Sequence, residues 1–475
     1  MIFIIAPVFM KKAVMDLRMT KREILLKSGQ SILIIWISIF LSSGLNAQNP
    51  QSFKSDSLTI DDCIRYAMQN QPLVKQLKLD EGITDQDIKI ALSDWLPQIN
   101  STAGIQRYVK QPVSIFPDFT NPSGPKISVT TGVLNNSLIS FTATQNLFNN
   151  EVYIAGRTAK SFRLQSAQTT RSALIELVVE INKAFYDVLL SNGQLELIVD
   201  QIGRLTKSLK DTYSLYKNGV TDVIDYKRAT IALNNAMSQR KSAEEAINVK
   251  TSYLKQLMGF PNEKHLTLKT DISSMEKDVM LDTLENFNIY DRIEYQLLQT
   301  NLKLHKANIE YNKFSYLPSL SAFANYNISY QNDAVSELYK RNYPYAIVGL
   351  TLSFPVFQGT KRIHDVRKSK MQYERLALDT LNTRNEMNTQ YVNAMASYKS
   401  NFASYNLTRQ NIEIAQDVYN TVKLQYNQGI KNYLEVIISE SDLMSARINN
   451  LDAIFMLMFS KIDVQRALGK ISVDY

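Results

Sequence analysis

Tyr216-Lys217-Asn218-Gly219-Val220 recurs as Tyr426-Asn427-Gln428-Gly429-Ile430, 210 residues further on. Each copy closes a long stretch without proline, 151–217 in the first case and 360–427 in the second. A glycine at this place stops a helix in the C′ position and reverses the chain, so both copies read as the turn of a helical hairpin. At 1.5 Å per residue each stretch reaches about 100 Å if continuous; Asn192-Gly193 marks an expected break in the first. Beyond the second turn, Leu434, Ile437, Ser441, Met444, Ile448, Leu451, Phe455 and Met458 follow a 3,4 spacing. Before it, Ile412, Ala415, Tyr419, Val422 and Tyr426 do the same. That is a coiled-coil seam, interrupted once by Ser441.

Working outward, other landmarks repeat in the same order. Trp95-Leu96-Pro97 returns as Tyr316-Leu317-Pro318 at an offset of 221, Leu147-Phe148 as Val356-Phe357 at 209, and Leu257-Met258-Gly259 as Ala467-Leu468-Gly469 at 210. The ordered series reads as an internal duplication of about 210 residues, with a longer loop in the first copy. Between the paired landmarks, alternation of period two marks strands at about 98–109 and 138–148 in the first copy, and 319–330 and 346–357 in the second. Ile139, Phe141 and Ala143 alternate with Ser140, Thr142 and Thr144, and Leu320 through Ile328 alternate with serines and asparagines, Phe323 being the exception. The first strand alternates poorly. Segments 110–137 and 331–345 carry turn residues and read as loops.

The 475 residues carry 53 Lys+Arg against 45 Asp+Glu, a net charge of +8. Both signs are spread along the chain, and residues 1–47 hold six basic and two acidic residues, so the remainder carries +4. No nucleic-acid surface follows from that balance. The single Cys63 excludes a disulfide framework and cysteine-built metal sites, and His265, His305 and His364 lie scattered, so no metal or other cofactor is expected. Cys63 itself reads as a small buried residue at helical spacing from Ile60, Ile64 and Ala67. Asp61-Asp62 reads as helix-start charge, and Arg240-Lys241 with Glu244-Glu245 as ion pairs four apart on one helix face. There is no glycine-rich phosphate loop and no catalytic pair. An enzyme is not expected, and energy must come from a partner.

The apolar run 31–41, behind Lys21, Arg22 and Lys27 and ahead of Gly44-Leu45-Asn46-Ala47, has the pattern of a secretory signal cut after Ala47. Met19 is the better initiator. The expected organisation is a signal peptide at 1–47, a linker at 48–57, a first repeat at 58–259, a connecting segment at 260–283, a second repeat at 284–470 and a tail at 471–475.

A signal, a duplication, two strands per copy and very long helical hairpins resemble the TolC family of outer-membrane efflux proteins. The opening Leu58-Thr59-Ile60-Asp61-Asp62-Cys63-Ile64 with Ala67 and Asn70-Gln71-Pro72 is similar to the family's first helix, with one extra residue inside its usual Asn-Pro. The Leu-Pro pairs before each first strand and Pro355-Val356-Phe357-Gln358-Gly359 after the last also fit. The resemblance covers about residues 58–470. It implies an α+β membrane protein in which three chains each give four strands to a shared 12-stranded β-barrel, with helical hairpins forming a periplasmic tunnel. The implied role is a passive outer-membrane channel in tripartite efflux or type I secretion, served by a periplasmic adaptor and an inner-membrane RND or ABC pump. An exported tethering coiled coil without a pore is the alternative. Four strands alone cannot cross a membrane, because unpaired edges in hydrocarbon cost several kcal/mol per group.

The resemblance also assigns residues. Tyr216, Gly219, Val220, Tyr426, Gly429 and Ile430 correspond to tip motifs that meet the adaptor. Where the family places two Asp three apart at the periplasmic entrance, this chain has Glu435 and Ile438; Asp225 is the repeat-related partner of Glu435. A ring of three Glu435 implies a cation-selective gate, weaker than two Asp rings would make. Trp95, Phe148, Tyr316 and Phe357, at the helix-side ends of the four strands, read as an aromatic girdle against outer-membrane lipid.

Overall fold

A computed structural model describes residues 57–117, 124–269 and 287–474. The expected signal peptide, nearly all of the 48–57 linker and most of the connecting segment lie outside the described residues. Helices α1 (Ile60–Asn70) and α2 (Pro72–Ser93) lead to strand β1 (Gln98–Arg107); a small hairpin, β2 (Val113–Phe116) and β3 (Ile127–Thr130), precedes β4 (Asn135–Phe148). Helices α3 (Asn150–Lys217) and α4 (Val223–Met258) form the first long hairpin. The second half runs α5 (Ile293–Phe314), β5 (Ser319–Asn332), β6 (Asn342–Ser353), α6 (Lys361–Asn427) and α7 (Tyr433–Ala467).

Local chemistry starts and stops these helices. Thr59 and Asp62 make a reciprocal capping box at α1, with Thr59 N donating to Asp62 Oδ2 at 3.1 Å. The hydrogen bonds from Thr59 hold the Asp62 carboxyl below its ordinary range. Asn149, Asp222 and Asn432 cap α3, α4 and α7 through their side-chain oxygens. The long helices end alike. Val220 N donates to Leu215 O and Gly219 N to Tyr216 O, and the same pair of bonds joins Ile430 to Gln425 and Gly429 to Tyr426. This is the Schellman arrangement, with Gly219 at φ +72° and Gly429 at +77°.

The expected break at Asn192-Gly193 is corrected: α3 is continuous through it. Gly193 is instead a point of close approach, since a β-carbon there would stand 3.0 Å from Leu451 Cδ2 of α7. The α7 seam also differs from the expected one at its start. Tyr433, Val436, Glu440 and Leu443 are buried, whereas Leu434 is 39% exposed. From Met444 onward the expected residues Leu451, Phe455 and Met458 do face the core.

The main core lies where α1, α3, α4, α6 and α7 meet, around Cys63, Ile181, Leu189, Leu254, Met258, Phe455 and Leu457. Two matching junctions brace it. Gln71 Nε2 donates to the terminal carbonyls of α4, Gln256 O at 3.0 Å and Leu257 O at 2.9 Å. Arg292, 4% exposed and paired with Glu294, reaches the last carbonyl of α7, Ala467 O, at 3.3 Å. Each acts as a side-chain cap on a buried helix end.

The four long strands form one antiparallel sheet in the order β1-β4-β5-β6. Register divides its faces. Ile99 opposes Ala143, Ala143 opposes Ala324 and Ala324 opposes Val348, while Phe141–Tyr326, Ile139–Ile328, Leu320–Leu352 and Ala322–Leu350 lie on the same apolar face. The other face carries Asn100, Thr102, Ser140, Thr142, Asn325, Asn327, Thr351 and Ser353. Phe323, which breaks the alternation, lies on that polar face because it covers a gap: its ring occupies the place a β-carbon on Gly349 would take, 2.7 Å from Cζ. An aromatic over a glycine restores contact that the strand otherwise lacks. Several boundaries change: β4 begins three residues early, at Asn135, β1 ends two residues short and β5 two residues late. β6 begins four residues early, at Asn342, and ends at Ser353, short of Phe357, because Pro355 cannot donate to a ladder. The expected 110–137 loop contains the β2–β3 pair.

Candidate functional site

The sheet's two outer strands, β1 and β6, each pair on one side only. β1 is exposed along its whole length, and β6 at all but one position. Among the four long strands Arg107, at the end remote from the helices, is the one charged residue. Strands of 10 to 14 residues, apolar on one face and polar on the other, have the length and chemistry of a tilted membrane strand with lipid outside and water inside. No helix among the described residues is long and apolar enough to cross a membrane. The sheet is incomplete at both edges.

Its helix-side ends carry the four aromatics singled out in the sequence. Trp95 precedes β1 by three residues and Tyr316 precedes β5 by three; both are partly exposed. Phe148 closes β4, where a register shift between Asn146 and Phe148 sets it opposite Leu320 on the apolar face. Phe357 stands four residues beyond β6 and is 85% exposed. The Arg362 guanidinium lies 5.2 Å from the Tyr316 ring and donates to Pro355 O at 2.9 Å, which ties the start of α6 to this level.

At the far end of the helices the two tips are built alike. Val220 and Ile430 are each 67% exposed at the turn apex. A β-carbon on Gly219 or Gly429 would meet nothing within 4 Å, so their glycines answer to backbone φ alone. The tyrosines differ. Tyr216 stays exposed while stacking on Tyr226 at 6.3 Å, whereas Tyr426 is half-buried against Tyr433 at 5.7 Å. Burial, with the Asp225 and Asp211 charges next, pushes the Tyr426 phenol above its ordinary value. The tip set thus splits into exposed apices and a packed tyrosine.

Asp225 and Glu435 occupy equivalent first-turn positions of α4 and α7. Asp225 lies 3.9 Å from Arg228, and Glu435 forms an ion pair with Lys431. Ile438, three residues on from Glu435, is half exposed. Lys431 was no part of the sequence expectation, yet a basic residue four before Glu435 is a legible signal. A second missed feature lies deeper. Arg204 Nε donates to Glu440 Oε1 at 3.1 Å, and Glu440 is 5% exposed. No periodicity marks it, since a charged residue at a seam position reads as an interruption.

The profile of the outer membrane efflux protein family matches residues 63–260 and 296–470. The chain belongs to that family. Its membrane sheet and helical hairpins are those of an outer-membrane efflux channel, located in the outer membrane with its helical tunnel in the periplasm, and the family is one of channels rather than enzymes. The tethering alternative gives way to this membership. Among relatives, the outer membrane protein TolC of Vibrio cholerae is 19% identical over 92% of this chain and 95% of its own length. The alkaline protease secretion protein AprF of Pseudomonas aeruginosa is 21% identical over 64% of this chain and 63% of its own. Among solved structures, the open state of the Neisseria gonorrhoeae MtrE outer membrane channel superposes with a TM-score of 0.67 at 16% identity, covering 90% of this chain and 95% of that one.

Proposed function

We propose that three copies close into one 12-stranded barrel, β6 of each pairing with β1 of the next, and that the joined hairpins continue it as a water-filled conduit. The observation that carries this is the four-stranded sheet with an apolar and a polar face and two unsatisfied edges. Closure satisfies every edge group that lipid would otherwise leave without a partner. Trp95, Phe148, Tyr316 and Phe357 then form a girdle at the periplasmic side of the membrane, where amphipathic rings are favoured.

The conduit is one part of a tripartite efflux or type I secretion assembly. The exposed apices at Val220 and Ile430, with Gly219, Gly429, Tyr216 and Tyr426 shaping them, are the docking surface for a periplasmic adaptor. An inner-membrane RND or ABC pump supplies the energy. Glu435, with Asp225 at the equivalent place in the first repeat, forms the gate; three Glu435 carboxylates near one axis favour cations, offset by the paired Lys431. The expected division into repeats at 58–259 and 284–470 fits this scheme, each repeat giving two strands and one hairpin.

Replacing both Val220 and Ile430 with Asp tests the docking surface. Heat-modifiable trimers in the outer-membrane fraction should persist while cross-linking to the adaptor is lost. Undiminished cross-linking would remove the tips from docking, and absence of a trimer from wild-type membranes would remove the shared barrel.

A further inference from the structure

A few turns inside the tips, α3, α6 and the start of α7 enclose a cleft of about 390 Å³. It holds the Arg204–Glu440 pair. Arg204 uses only Nε in that bond; its Nη2 is shielded from solvent and has no acceptor. Tyr426 Oη, on the same cleft, is likewise enclosed without a partner. Eight buried side-chain polar atoms are orphaned among the described residues, and two of them belong to this one cleft. Folded proteins rarely leave a buried donor unpaired, and a guanidinium donor least of all.

The charge is also unbalanced. Arg204, Lys207 and Lys423 line the cleft against Asp211 and Glu440. Glu440 is already engaged by Arg204, and burial holds its carboxyl above the ordinary range despite that partner. Lys423 Nζ donates to Tyr419 Oη at 3.1 Å and lies 5.2 Å from the centre of that ring, which engages one of its three protons and part of its charge, and the rest acts on Glu440 from a distance. The Tyr433 and Ser208 hydroxyls satisfy each other at 2.8 Å. With three basic groups against two acidic ones, Asp211 included, the cleft keeps one positive charge in surplus, and Arg204 Nη2 keeps an unused donor.

We propose that this cleft binds a small oxoanion or carboxylate group, held by Arg204 Nη2, Lys207 and Lys423. Planar guanidinium and ammonium donors converging from two helices are the chemistry that recognises phosphate and carboxylate oxygens. Arg204 belongs to the first hairpin and Lys423 to the second, so the bound anion bridges the two hairpins near their periplasmic end.

The test is isothermal titration calorimetry of the purified full-length protein in detergent with inorganic phosphate, then with methyl phosphate and acetate. Saturable binding is expected. R204Q and K423Q should each weaken it at least tenfold, whereas E440Q should tighten it several-fold by removing the carboxylate that competes for the guanidinium. Response to phosphate alone identifies a free ion as ligand; an equal response to methyl phosphate or acetate identifies an acidic group carried on a larger solute. Absence of saturable heat in the wild type, or unchanged affinity in both cation variants, overturns the proposal. Circular dichroism checks folding; if R204Q does not fold, K423Q, at an exposed residue, carries the comparison. Binding is read without adaptor or conductance, so its failure leaves the channel reading intact.

Discussion

Four glycines end the four long helices with positive φ, yet only two of them should be costly to change. At Gly219 and Gly429 a methyl group meets nothing within 4 Å, so alanine costs the left-handed conformation alone, about 1–2 kcal/mol. At Gly469, φ +73°, the added carbon would stand 2.7 Å from Asp291 O and 2.9 Å from Asp291 C. At Gly259, φ +66°, it would stand 2.9 Å from Gln71 Cα. Those neighbours are backbone, cannot rotate aside, and sit in the two junctions that cap α4 and α7. Overpacking of this kind adds about 1–3 kcal/mol, which brings Gly259→Ala and Gly469→Ala to about 2–5 kcal/mol. Urea unfolding of the purified variants by circular dichroism, at one protein concentration, reads the difference. Equal losses at all four positions, or a larger loss at a tip, would refute the claim that the junctions are tightly packed ends and the tips open ones.

Other consequences concern charge and reactivity. Reversal potentials should become less cation-selective in Glu435→Gln and more so in Lys431→Gln, because the lysine offsets the carboxylate it pairs with; selectivity unaltered in both would take Glu435 out of the gate. Cys63 is fully buried, and burial, then the Asp62 charge, pushes its thiol up to about 12. It should therefore stay protonated and resist maleimide at pH 8 until the protein is denatured; rapid labelling of the native form would contradict the packing around α1. That inertness also leaves introduced cysteines free of background in cross-linking.

Much of this architecture was legible because it repeats. The tip pentapeptides, the Leu-Pro pairs and the strand alternation are local signals, and each marks a turn or face the chain adopts. The misreadings share a different cause: they depend on what lies opposite. Gly193 reads as a break until Leu451 of α7 is seen pressing on it. Phe323 breaks the period because Gly349 on the next strand leaves a gap. The start of α7 shifts its seam to Tyr433 and Val436 because Tyr433 bonds Ser208 of the other hairpin. The β2–β3 pair hides in a segment rich in turn residues, since strands of four residues are too short to establish a period. Of the site residues, Val220 and Ile430 stand at the turn apices and Trp95, Phe148 and Tyr316 at the strand ends, as the pattern places them, while Phe357 falls four residues beyond its strand. Glu435 does too, but its pairing with Lys431 alters what its charge can do.

An outer-membrane channel of this family must conduct ions once it sits in a bilayer. Single-channel recording of the purified protein in planar bilayers, across a salt gradient, tests it most directly. Stable conductance steps from a trimer, with a reversal potential of cation-selective sign, are expected. A soluble monomer that gives no steps would contradict it.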